Sequence, residues 1–116
     1  MYSEVMRIKG WLDSMVLAVV SAEPAHGYKI AATIRDEVVD LAGASLYPVL
    51  KKLEADGCLK ADWDSSGSGP ARKVYSITSV GMKRLGEDVA EWRSIRSRID
   101  GLFEQGSVTG VGRGPA

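Results

Sequence analysis

One cysteine, one histidine and one phenylalanine are all that 116 residues hold of those types, and neither sign of charge is in excess. A lone Cys58 cannot close an intrachain disulfide, and neither Cys58 nor His26 has companions at metal-ligand spacing. No apolar run approaches the roughly 18–20 residues of a membrane span. Met15 to Val20 is far shorter, and the residues before it do not read as a secretory signal. A cytoplasmic chain without a cofactor, a metal or a membrane partner is expected. Fifteen Lys and Arg balance fifteen Asp and Glu, which excludes a general polyanion coat. No nucleophile motif, carboxylate pair or phosphate-cradling glycine loop stands in a credible context, so no enzyme is expected.

The chain does carry apolar periodicity. Ile8, Trp11, Leu12, Met15, Val16, Val19 and Val20 make a wide helical stripe from about Ile8 to Ala22, which Pro24 terminates. His26-Gly27-Tyr28 restarts the chain, and Ile30, Ala31, Ile34 and Val38 line a second helix. In a third, Leu46, Val49, Leu50 and Leu53 fall at i, i+3, i+4 and i+7. Pro48 is tolerable only in a first turn, so this helix begins near Ala44 or Ser45, with Ser45 as a reasonable cap. Gly57 suits its left-handed stop. Cys58 to Trp63 and Lys73 to Ile77 read as two strands around the loop Asp64-Ser65-Ser66-Gly67-Ser68-Gly69-Pro70. Thr78 reads as the N-cap of a long last helix. There Met82, Leu85, Val89, Trp92, Ile99 and Phe103 form a heptad seam interrupted by Arg96.

Three helices, a hairpin and a long helix make a mainly α chain with a small β-hairpin. The expected architecture is a winged helix-turn-helix over residues 1–77, a dimerisation helix over 78–104 and a disordered Gly-rich tail over 105–116. Such a fold meets DNA with its third helix and wing. Lys51, Lys52, Lys60, Arg72 and Lys73 fall near that face, while Asp36, Glu37, Asp40, Glu87, Asp88 and Glu91 fall mostly elsewhere. With charge segregated in this way, the zero net charge weakens the DNA reading without overturning it.

Four segments carry a family likeness: Pro24-Ala25-His26-Gly27-Tyr28, Ser45-Leu46-Tyr47-Pro48-Val49-Leu50-Lys51-Lys52-Leu53-Glu54-Ala55-Asp56-Gly57, Gly69-Pro70-Ala71-Arg72-Lys73-Val74-Tyr75 and Ile77-Thr78-Ser79-Val80-Gly81. In order and spacing they resemble the PadR family of bacterial transcriptional regulators, over about residues 11 to 100. The single C-terminal helix is similar to the family's compact subgroup. The resemblance implies a homodimeric repressor that binds a palindromic promoter site and releases it on a signal. In the compact subgroup, paired tryptophans of the last helices flank a hydrophobic pore in which planar aromatic ligands stack. Trp92 stands at that tryptophan's place, and Trp11, Met15 and Val89 are candidates to wall the slot. Two features depart from the pattern: Ala42-Gly43-Ala44 where Pro-Gly is common, and Arg96 on the seam.

The expected DNA contacts are Tyr47, Pro48, Lys51 and Lys52 from the third helix and Arg72 and Lys73 from the wing. Tyr28 and Ser45 are expected to touch the backbone. Each has a plainer alternative: a solvated lysine face, a charged strand end, core packing for Tyr28, interface packing for Trp92. Partners expected are double-stranded promoter DNA, a second copy of the chain through Met82, Leu85, Val89, Trp92, Ile99 and Phe103, and a small aromatic or hydrophobic effector. A winged-helix module that binds proteins or ligands without reading DNA is the rival reading.

Overall fold

The structure, a computed structural model, describes residues 7–41 and 46–106. A 3-10 turn at Lys9–Trp11 leads into α1 (Leu12–Ala22), then β1 (Ala25–His26), α2 (Gly27–Glu37), α3 (Leu46–Ala55), β2 (Leu59–Asp64), β3 (Arg72–Ile77) and α4 (Ser79–Gln105). This is a winged helix-turn-helix followed by a long helix. Ala44 and Ser45 lie outside the described residues, as does the tail from residue 107. The chain divides into two compact units that meet within α4, between Leu85 and Gly86.

In the first unit α1 is buried on a wide face through Leu12, Val16, Leu17 and Val20, with Met15 and Val19 partly covered. Leu17 lies off the expected stripe. Elements pack on α1 from several sides, so it buries more than a simple amphipathic face. The helix expected from Ile8 is interrupted: Arg7 and Ile8 are helical, a 3-10 turn around Gly10 follows, and α1 runs on from Leu12. Ile30 and Ile34 carry α2 into the core, whereas Val38 is exposed, contrary to expectation. The helix ends at Glu37, and Val38 leaves helical geometry at φ −128° and ψ −72°. The periodicity is thereby lost, and Val39 and Leu41 pack instead.

Leu46, Leu50 and Leu53 bury the apolar face of α3, and Pro48 sits in its first turn as the sequence requires. Its C-terminus is a Schellman motif: Cys58 N–H donates to the Leu53 carbonyl at 2.9 Å and Gly57 N–H to the Glu54 carbonyl at 3.0 Å. Gly57 takes the left-handed conformation this needs, at φ 78°.

The wing is antiparallel, with Leu59 opposite Ile77 and Asp64 opposite Arg72. The sequence did not announce the third strand. Ala25 pairs with Tyr75 and His26 with Val74, giving the order β1-β3-β2. Thr78 caps α4 as expected, its hydroxyl oxygen accepting from Gly81 N–H at 3.0 Å and donating to the Gly57 carbonyl at 2.6 Å. One threonine thus joins the end of α3 to the start of α4. Gly81 is buried here, and the position calls for glycine because a Cβ would collide with the Cys58 carbonyl oxygen and stand 2.8 Å from Ile77 Cγ1.

The second unit is the remainder of α4. None of its described residues is buried, and Trp92, Ile99, Leu102 and Phe103 are exposed. Ile95 and Leu102 join the apolar stripe at spacings of three from Trp92 and Ile99 respectively, beside the positions the heptad picked out. Arg96 reaches along the helix to Asp100, at 3.8 Å. No helix among the described residues is long and apolar enough to cross a membrane.

Candidate nucleic-acid interface

Burying one face of α3 leaves the other in solvent. Tyr47 is 62% exposed, with Pro48, Lys51 and Lys52 exposed beside it. Helical spacing brings Lys51 Nζ to 5.8 Å from the centre of the Tyr47 ring, a cation–π distance. Lys52, one position on, turns elsewhere: its Nζ lies 2.8 Å from Asp13 Oδ2 on α1. The same oxygen accepts from Arg84 Nη2 of α4 at 2.9 Å. Burial pushes the Asp13 carboxyl up, but the hydrogen bonds and charges of Lys52 and Arg84 outweigh it and hold the pKa below 3.8.

The wing divides its cations in the same way. Arg72 lies 5.2 Å over the Tyr28 ring, and Tyr28, 63% exposed, stacks on His26 at 5.6 Å. Lys73 stands between the Trp63 ring at 5.9 Å and Glu54 Oε1 of α3 at 3.6 Å. Tyr75 is buried beneath. Burial pushes its phenol up, with Lys73 opposing and Glu54 and Tyr47 adding to the rise. Lys51 and Arg72 therefore rest on aromatic faces, Lys52 meets a carboxylate, and Lys73 meets both a ring and a carboxylate.

At the loop end of the wing Asp64 Oδ1 accepts from the Ser66 hydroxyl at 2.7 Å and Ser66 N–H at 3.0 Å, which lowers its pKa. Its other oxygen is 3.4 Å from His26 Nε2. A cleft of about 220 Å³ opens between the loop and the start of α2, lined by His26, Tyr28, Asp64, Ser66 and Arg72 among others.

Of the expected DNA contacts, Tyr28, Tyr47, Pro48, Lys51, Lys52 and Arg72 are exposed and Lys73 is half-exposed, while Ser45 lies outside the described residues. Among the expected effector residues, Trp11 and Met15 are half-buried in the first unit; Val89, half-buried, and Trp92, exposed, belong to the second. Cys58 is buried, which shields its thiol from reagents in solvent. Sequence reasoning missed Asp13, whose partners are 39 and 71 residues away. It also missed Trp63, 69% exposed on the wing, whose only signal was an aromatic next to the Gly-Ser loop.

A sequence profile described as the Transcriptional regulator PadR-like family matches residues 16–87, from within α1 into α4. The chain belongs to this PadR-like family. A PadR family transcriptional regulator from Eggerthella lenta is similar in structure, with a TM-score of 0.80 at 31% identity over 90% of this chain and 93% of that one. A PadR-like transcriptional regulator from Bacillus cereus aligns at TM-score 0.75 and 26% identity, over 88% of this chain and 99% of that one. An uncharacterised protein of Lysinibacillus sphaericus is 34% identical over 85% of this chain and 93% of its own length. The matched profile holds α3 and the wing, so the exposed aromatics and cations lie within the part shared by PadR-like regulators.

Proposed function

We propose that this chain is a homodimeric, cytoplasmic DNA-binding regulator that represses transcription from a palindromic promoter site. The observation that carries the reading is the pairing of exposed cations with exposed aromatics on adjacent elements, Lys51 with Tyr47 on α3 and Arg72 with Tyr28 beside the wing. Cations held on ring faces keep their charge available to phosphate, and tyrosine hydroxyls can donate to phosphate oxygens. In this reading α3 enters the major groove with Tyr47, Pro48 and Lys51 foremost. Arg72 and Tyr28 follow the backbone, with Ser45 at the helix start and Lys52 and Lys73 behind. Two copies joined through Met82, Leu85, Val89, Trp92, Ile99 and Phe103 would set their reading helices about one turn of DNA apart. A planar hydrophobic effector at the dimer interface near Trp92 and Val89 would release DNA only by favouring a dimer geometry that DNA does not.

The test is fluorescence anisotropy with duplex DNA from upstream of the protein's own gene, across a salt series. Specific binding is expected, with log affinity falling linearly in log salt. Lys51→Ala should lower the slope by about 0.9, one released counterion. Absence of a specific complex at low salt overturns the proposal. A planar dye that binds tightly without changing DNA affinity would favour a ligand carrier.

A further inference from the structure

Three elements converge on one carboxylate oxygen. Asp13, on α1, receives Lys52 from the last turn of α3 and Arg84 from α4, and its side chain is only 16% exposed. Arg84 also lies 3.9 Å from Asp56, just past the end of α3. The C-terminal end of the reading helix is thus tied twice, through Lys52 to Asp13 and through Asp56 to Arg84. On another side, Glu54 is tied to Lys73 of the wing. Of the charged residues on α3, only Lys51 rests on an aromatic face. A lysine held at 2.8 Å by a shielded carboxylate is a poor phosphate ligand, because reaching DNA would break a charge-assisted hydrogen bond and leave Asp13 short of a partner.

We propose that Asp13 is a positioning residue for DNA reading, and that Lys52 clamps α3 to α1 and α4 through it rather than neutralising a phosphate. The inference rests on the DNA-binding reading above. It reverses the sign that simple electrostatics gives. Removing a negative charge from a DNA-binding protein should tighten binding if only the overall field mattered. Without Asp13, Lys52 and Arg84 become neighbouring like charges that repel, and the end of α3 loosens. Binding should therefore weaken.

The experiment uses full-length protein carrying Asp13→Asn, Lys52→Met or both, with fold checked by circular dichroism. Binding to the upstream duplex is measured across salt, and hydrogen exchange is followed at the α3 amides. Each single variant should bind about threefold to tenfold more weakly, as expected for a partly shielded ion-pair network. The wild-type salt slope should be retained, and the double variant should bind no worse than the weaker single. Exchange at the end of α3 should speed up in Asp13→Asn without DNA present. Asp13→Asn binding as tightly as wild type, a Lys52→Met slope lower by about one, or unchanged α3 exchange each overturns the clamp while leaving DNA binding intact. Wild-type protein that forms no specific complex overturns the DNA reading, and this inference with it.

Discussion

The first unit, up to Leu85, and the second, from Gly86 on, treat apolar side chains in opposite ways. The first gathers Leu12, Val16, Leu17, Val20, Ile30, Ile34, Leu50, Leu53 and their neighbours into one cluster hidden from solvent. The second buries no described residue and leaves Trp92, Ile99, Leu102 and Phe103 in water. A lone helix in water gains little from propensity and needs a packed face to persist. The difference separates two kinds of hydrophobic residue that look alike in the sequence: those that stabilise this chain by burial within it, and those it leaves exposed.

Paired truncations break the comparison most sharply. Leu53→Ala removes a fully buried side chain and should cost about 2–5 kcal/mol, lowering Tm by roughly 10 °C or more. Ile99→Ala should change the stability of the isolated chain by no more than about 0.5 kcal/mol. Denaturant unfolding at low protein concentration checks both. Equal losses would mean that the second unit is stabilised within the chain.

Concentration sharpens it next. If a second copy covers the stripe on α4, Tm should rise with protein concentration, since association stabilises by mass action. Phe103→Asp should abolish that dependence and halve the mass measured by light scattering, with the low-concentration Tm little changed. A wild-type Tm independent of concentration would remove the case for self-association through this stripe.

The same contrast marks what the sequence could reveal. The end of α3 was legible because Gly57 suits the left-handed stop, Pro48 was legible as a first-turn residue, and Thr78 as a cap because its chemistry acts on the next turn. Local rules sufficed there. The two-residue β1 was not legible, because Ala25 and His26 become a strand only by pairing with Tyr75 and Val74 of a distant segment. Val38 matched the helical period, yet the helix stopped a residue before it. Of the interface, the exposed tyrosines and cations could be named from spacing, but not which cations face carboxylates. Lys51 and Lys52 are adjacent and chemically identical. Only the fold brings Asp13 to one of them and a tyrosine ring to the other.

Asp13 offers the smallest effect, and its sign follows from linkage. Burial alone would raise its pKa, but Lys52 and Arg84 hold it below 3.8 in the folded chain. The unfolded chain therefore binds more protons in that range, and stability rises with pH there. The contribution is complete above 3.8 and is lost as pH falls through the lower folded value. Asp13→Asn should make the acid limb of the stability profile shallower below about pH 4, with urea midpoints across acidic buffers as the measurement. Asp64 is shifted the same way by Ser66, yet it titrates in solvent, so Asp64→Asn should leave the limb nearly unchanged. Superimposable acid limbs for wild type and Asp13→Asn would show that the charge on Asp13 does not help hold α1, α3 and α4 together. A shallower limb in that variant alone would assign part of the first unit's cohesion to one carboxylate.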